Sequence, residues 1–241
     1  MDTIHVEHGS TRMVAHRGVS GLECENTNAA FVAAGNRSYY GIETDIHVTA
    51  DGKFAVIHDA RTGKVSNVAI SVEESTCEEL SKVQLYSGGR VPSYTRRDLV
   101  IPALADYIRI CKRYGKIAVL EVKNRMETEV LRRLVEEIRE LEYLESTLFI
   151  SFSWENMVDL REMLPEQKMQ FLIVEWADDL PARLKNHRLD LDIYHGSLTE
   201  ERIELLHDLG IEVNCWTCDD PDRAEELISW GIDYITTNIL E

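Results

Sequence analysis

Residues 14–59 concentrate side chains able to do chemistry: VAHRGVSGLECENTNAAFVAAGNRSYYGIETDIHVTADGKFAVIHD. The stretch holds His16 and His58, Arg17 beside the first, Glu25, and the spaced pair Glu43 and Asp45. Each group sits at the end of an apolar, strand-like run. Two imidazoles can pass protons, carboxylates offer hard oxygen ligands, and a fixed guanidinium can hold an anion. Together they are the parts for cation-assisted cleavage of a phosphate ester. Downstream, Glu121-x-Lys123 repeats the theme, and Ser151, Ser153, His195 and Trp216 close later apolar runs.

These groups work together only if the fold collects them. Apolar runs alternate with amphipathic ones along most of the chain. Strands are predicted over 13–16, 41–49, 117–122, 148–152, 170–174, 191–195, 212–216 and 234–237, with a brief extended piece at 54–58. Helices are predicted over 26–36, 102–114, 127–142, 154–163, 180–185, 199–209 and 221–230. Pro102 suits a first helical turn and Gly115 a helix end. The rhythm breaks over 60–100, a polar segment with a short helix near 72–82 and a loop around Gly88 and Gly89, read as an insertion over the site. Eight strands with helical returns fit a (β/α)8 TIM barrel, which takes roughly 250 residues; this chain has 241. An open doubly wound sheet is the rival, but it usually carries a glycine-rich G-x-G-x-x-G loop, and none occurs here.

In a barrel the strand carboxyl ends form one mouth. Glu43, Asp45 and His47 share one face of their strand, and Glu121 and Lys123 share one face of theirs. Carboxylates turned inward are costly unless a cation meets them. Glu43, Asp45 and Glu121 suit Mg²⁺ or Ca²⁺ better than Zn²⁺. The alternative is a salt-bridge network in which Lys123 and Arg17 neutralise the acids. His16 and His58 fit an acid/base pair, and Arg17 and Lys123 fit phosphate contacts. Asp59 fits an orienter of an imidazole or a turn residue. Asn26 or Thr27 suits a helix N-cap, with Glu25 bracing the site. Trp216 can stack on substrate or fill the core. His47 is read as structural, and His5, His8, His187 and His207 as surface residues.

Composition narrows the partners. With 26 basic and 43 acidic residues the formal charge is −17, which disfavours nucleic acid or an anionic membrane as partner. A small anionic substrate is compatible if the pocket supplies cations, and a homo-oligomer is compatible too. The five cysteines are scattered and imply no disulfide framework, which points to a reducing, cytoplasmic setting. Cys215 and Cys218 form a C-x-x-C, but on one strand they would face opposite sides. The first residues have no apolar core of signal-peptide length, and no apolar run reaches the ~18 residues of a membrane span.

On these residues the chain resembles the glycerophosphodiester phosphodiesterase family. The resemblance runs through His16-Arg17-Gly18, Glu25-Asn26-Thr27 with Ala30-Phe31, Glu43-x-Asp45, Asp51-Gly52, His58-Asp59, Glu121-x-Lys123, Ser151-Phe152 and Trp216. It implies a (β/α)8 barrel with a small insertion after the second strand, a divalent cation, and hydrolysis of glycerophosphodiesters to glycerol 3-phosphate and an alcohol. By position it implies Glu43, Asp45 and Glu121 as metal ligands, His16 and His58 as the acid/base pair, and Arg17 and Lys123 as phosphate contacts. Two positions depart from the family pattern. Cys24 replaces the usual Pro, and Thr237-Asn238-Ile239-Leu240 stands where Thr-Asp-x-Pro is frequent. A lysophospholipid or another phosphodiester is an alternative substrate, with Val83, Leu85, Tyr86 and Tyr94 along an acyl path. A non-catalytic phosphodiester-binding barrel is a third reading.

Overall fold

The computed structural model describes residues 2–86 and 98–241. The elements run β1 (Arg12–Ala15), α1 (Asn28–Gly35), β2 (Gly41–Val48), β3 (Phe54–Val56), α2 (Cys77–Leu80), α3 (Leu104–Tyr114), β4 (Ile117–Val122), α4 (Thr128–Glu140) and β5 (Thr147–Ser151). They continue α5 (Trp154–Met163), β6 (Met169–Ile173), α6 (Leu180–His187), β7 (Asp190–Tyr194), α7 (Glu200–Asp208), β8 (Val213–Trp216), α8 (Pro221–Ser229) and β9 (Tyr234–Thr237). The strands pair in the order β1-β9-β8-β7-β6-β5-β4-β2, and β1 pairs with β2 to close the ring. Every one of those pairings is parallel, so this is a (β/α)8 TIM barrel.

Strand alternation divides the core. Outward residues such as Ile42, Leu120, Phe149, Leu191 and Val213 join the apolar stripes of the helices in one large cluster. In α4 that stripe is Leu131, Leu134, Val135 and Ile138, the three-and-four spacing of an amphipathic helix. Inward residues Val14, Val119, Leu148, Ile150, Leu172 and Tyr234 form a separate inner layer. Polar inward residues, Glu43, Asp45, Glu121, Asp192 and Asn214, are also buried. Placing charge there is costly without compensation. The inner face therefore carries the chemistry.

The extended piece ahead of the 60–100 segment is β3, antiparallel to β2. Cys24, Ala55, Ile57, Val72, Leu80, Val83, Leu85, Leu99 and Ile101 pack into a second small core beneath it. Val83 and Leu85 thus fill this core instead of lining an acyl path. Tyr94 and the loop around Gly88 and Gly89 lie outside the described residues. Cys24, the residue in place of the family's Pro, is a packing residue of the same cluster. The helix expected over 72–82 contracts to α2, started by a Thr76–Glu79 capping box.

Pro102 does not begin a helix. Ala103 is the N-cap of α3, and the Pro102 carbonyl accepts from Val56 N at 2.9 Å, tying the helix start to β3. Gly115 ends α3 in the left-handed region at φ 64°, as its position suggested. Cys215 and Cys218 do not flank one strand, because β8 stops at Trp216. Both thiols lie in the outer core, and burial pushes them up, Cys218 to about 11. Among the described residues no helix is long and apolar enough to cross a membrane.

Candidate active site

The first half of the site is a turn that few sequences can make. After β1 the chain passes through Arg17 at φ 53° and Gly18 at φ 77°, both left-handed. A Cβ on Gly18 would lie 2.6 Å from Ala30 Cβ, so α1 can approach only a glycine. This turn aims Arg17 N at Glu43 Oε2, 2.8 Å away. Asn26, also left-handed at φ 53°, donates its backbone N to Arg17 O at 3.0 Å. Strained backbone of this kind concentrates at functional sites.

Asn26 and Thr27 have separate jobs. Thr27 is the N-cap of α1, accepting from Ala30 N at 3.2 Å. Asn26 faces the site: its Nδ2 donates to Asp45 Oδ2 at 2.8 Å, and its Oδ1 accepts from Thr44 Oγ1 at 2.7 Å. Glu25 accepts from Arg17 Nη1 at 2.8 Å and so braces the guanidinium.

Sheet register brings the carboxylates together. Asp45 on β2 lies directly beside Glu121 on β4, and Glu43 projects from the same face of β2. One oxygen from each of these three buried residues lies within 4.8 Å of the others. Three convergent carboxylate oxygens are the donor set of a hard divalent cation, so the residues present fit one. Burial, then Asp45 and Glu121, pushes the Glu43 carboxyl well above the usual range. Burial and then Asp45 push Glu121 up to about 8. Asp45 goes the other way. Burial opposes its charge, but Lys123 and then Arg17 overcome that and hold it low.

The cations close the cluster. Lys123 Nζ is 2.8 Å from Glu121 Oε1 and 3.3 Å from Asp45 Oδ1. Arg17 Nε lies 3.5 Å from Asp45 Oδ2. His16 Nε2 stands 4.0 Å from Glu43 Oε2, while its Nδ1 is 2.7 Å from Asn238 Oδ1. Burial, then Arg17, lowers His16 to about 4. His58 Nδ1 meets Asp59 Oδ1 at 2.6 Å, so Asp59 orients an imidazole. His47 is buried beneath, its Nε2–H donating to the His58 carbonyl at 3.0 Å, which is a structural role.

His16, Arg17, Glu43, His58, Glu121 and Trp216 line one cavity. Its opposite wall is Ile150, Phe152, Leu172, Asp192 and Thr236. Trp216 packs edge-on against Phe152 at 5.5 Å and Tyr194 at 6.0 Å, an aromatic rim on the β5–β8 side. Ser151, Ser153 and His195 do not join the lining. Ser151 Oγ is buried and donates to Val122 O at 2.6 Å, and Ser153 caps α5. His195 falls in a 3-10 turn after β7.

Asp192 was not anticipated from sequence. It is buried on β7, its Oδ1 has no hydrogen-bond partner, and burial with Glu121 pushes its carboxyl well above the usual 3.8. The folded state keeps a proton that the unfolded chain releases above that value, so this group costs stability as pH rises. Asp192→Asn should therefore gain on the parent with pH, by up to ~1.4 kcal/mol per pH unit until the native carboxyl ionises. Denaturant midpoints at pH 5 and pH 8 measure it; an advantage that does not grow with pH would contradict a protonated Asp192.

The profile of the glycerophosphoryl diester phosphodiesterase family matches residues 16–241. A glycerophosphodiester phosphodiesterase of Caldanaerobacter subterraneus subsp. tengcongensis is 26% identical over 238 residues, covering 95% of this chain and 94% of that one. A glycerophosphodiester phosphodiesterase structure from Parabacteroides distasonis superposes with a TM-score of 0.79 at 26% identity, covering 95% and 93% of the two chains. An Oleispira antarctica phosphodiesterase, solved with its product sn-glycerol-3-phosphate, shares the fold with a TM-score of 0.84 at 22% identity, covering 94% and 92%. With its profile match spanning nearly the whole chain, the protein belongs to the glycerophosphoryl diester phosphodiesterase family.

Proposed function

We propose that this protein hydrolyses glycerophosphodiesters to glycerol 3-phosphate and an alcohol, with a divalent cation, Mg²⁺ or Ca²⁺, held by Glu43, Asp45 and Glu121. The observation that carries the reading is the cluster itself: three buried carboxylates, each offering an oxygen within 4.8 Å of the others, beside two imidazoles in one cavity. A cation bound there supplies Lewis-acid stabilisation of charge on the phosphoryl oxygens. Arg17 and Lys123 hold the phosphate and neutralise it further. His16 and His58 carry the protons. Burial holds the His58 imidazole below its ordinary value, and Asp45 and the bond to Asp59 partly offset this; with a carboxylate on Nδ1, His58 is the ring assigned to protonate the leaving alkoxide. His16, lowered to about 4 and facing the cavity, then takes the proton of the attacking nucleophile, either water directly or a substrate hydroxyl whose cyclic ester water then opens. The aromatic rim of Phe152, Tyr194 and Trp216 faces the side left for the alcohol, where an apolar or quaternary-ammonium group gains most.

The test is a panel of glycerophosphocholine, glycerophosphoethanolamine and lysophosphatidylcholine, assayed in EDTA and after restoring Mg²⁺, Ca²⁺ or Mn²⁺. Glycerol 3-phosphate should form from the head-group diesters with a cation and fall to background with EDTA. Faster turnover of the lysolipid would move the substrate to lipids. Binding without product would leave a non-catalytic barrel, and an unchanged rate in EDTA would remove the cation.

A further inference from the structure

One neighbour of His16 comes from the far end of the chain. Asn238, just past β9, stands where the family pattern frequently has Asp. Its amide lies between His16 and Asp219, a residue of the β8–α8 connection. Both carboxylate oxygens of Asp219 face it: Oδ1 accepts from Asn238 N at 2.7 Å, and Oδ2 accepts from Asn238 Nδ2 at 2.5 Å. Thr237 Oγ1 also donates to Asp219 Oδ1, at 2.9 Å, so the acid is itself fixed. A carboxylate only accepts, so the NH₂ end of the amide must point to Asp219. The oxygen end then points the other way. There it accepts from Ser20 Oγ at 2.6 Å and meets His16 Nδ1 at 2.7 Å.

An amide oxygen cannot donate, so Nδ1 of His16 has to carry the hydrogen. In a neutral ring the other nitrogen, Nε2, is then a bare lone pair. The Glu43 carboxyl, with Oε2 at 4.0 Å, lies beyond hydrogen-bonding distance of it. We propose that Asn238, locked by Asp219, is a positioning residue that holds His16 as the Nδ1–H tautomer and so keeps the Nε2 lone pair facing the cavity. The inference rests on the reading of His16 as proton acceptor. A carboxylate at position 238 could accept from Nδ1 without needing an orienter. An amide can present either end, and Asp219 is what selects the oxygen. His58 gets the same service from a carboxylate, Asp59, so the two imidazoles are oriented by chemically different means.

The experiment uses the full chain with Mg²⁺ and ¹⁵N-labelled histidine. Long-range ¹H–¹⁵N spectra distinguish Nδ1–H from Nε2–H, and a His16→Gln sample assigns the His16 signals. The parent should show the Nδ1–H signature. Asn238→Leu should shift the population toward Nε2–H and lower kcat ~10–100-fold, the usual cost of losing such a partner, with KM little changed. The double variant Asn238→Asp/Asp219→Asn, which avoids setting two carboxylates against each other, should restore the Nδ1–H signature and recover at least part of the lost kcat. Asp219→Asn, which lets the amide turn, should give a mixed signature. An Nε2–H signature in the parent, or an unchanged Nδ1–H signature in Asn238→Leu, overturns the proposal. Should Asn238→Leu not fold, the Asp219→Asn spectrum decides alone, and an unmixed Nδ1–H signature there counts against it. The spectra need no turnover, so a tautomer shift in a protein that cleaves no diester would sink the proposed function and leave this inference standing.

Discussion

Replacing His16 with Ala should lower kcat on a glycerophosphodiester by about 10²–10⁴-fold, and His58→Ala should do the same, because each removal would take one of the two proposed proton carriers from the transition state. Both rings line one cavity with Arg17, and neither belongs to the apolar clusters of the core. His16 follows β1 and His58 follows β3, so truncation leaves the barrel's pairings intact. Melting temperatures should stay close to the parent while turnover collapses. The double variant should be little worse than the worse single one, since groups that act as a unit in one step are not additive. Steady-state kinetics at saturating cation, with thermal melts on the same samples, measure all three. Turnover within threefold of the parent in either single variant would end the acid/base assignment.

Lys123→Met should cost stability by ~3–5 kcal/mol, the penalty of leaving buried charge uncompensated. Lys123 is the only lysine touching the cluster among the described residues, and it contacts both Asp45 and Glu121. Without it, Asp45 loses its strongest downward pull. Burial already pushes the Glu43 carboxyl well above an ordinary 4.5 and Glu121 up to about 8. Their raised values make the native state lose ground as pH rises, so the variant should be worst at alkaline pH and recover toward pH 5. A divalent cation should rescue the variant more than the parent, because it supplies the charge that Lys123 gave. Urea unfolding at pH 5.5 and pH 8, with and without Mg²⁺, tests this. A loss equal at both pH values and indifferent to the cation would mean that Lys123 serves packing alone.

Much of this was legible in the residues because barrel strands end where their polar residues begin. Glu43-x-Asp45 and Glu121-x-Lys123 show strand parity directly, and the register between β2 and β4 follows from closing the ring. What escaped notice depends on contacts between distant segments. Asn26 reads as a helix cap, yet its left-handed backbone turns the amide to Asp45; asparagine's tolerance of that region was the available signal. Asp192 gave no local sign, and position 238 showed only as a departure from the family pattern, because the Asn238 partners His16 and Asp219 lie on other segments. Val83 and Leu85 looked like a path for an acyl chain because spacing alone cannot separate a lining residue from one that fills a small core. The helix start was placed two residues early, at Pro102, because an X-Pro step also suits an extended lead-in to a helix.

The ring closes where β1 meets β9, and His16 takes its orienting partner from residue 238, 222 positions away. A ribosome therefore releases every other part of this cavity before the piece that aims its first imidazole. A nascent barrel short of its last strand would have two open edges and a histidine free to rotate. Until that seam forms, His16 has no Asn238 amide to hold its ring.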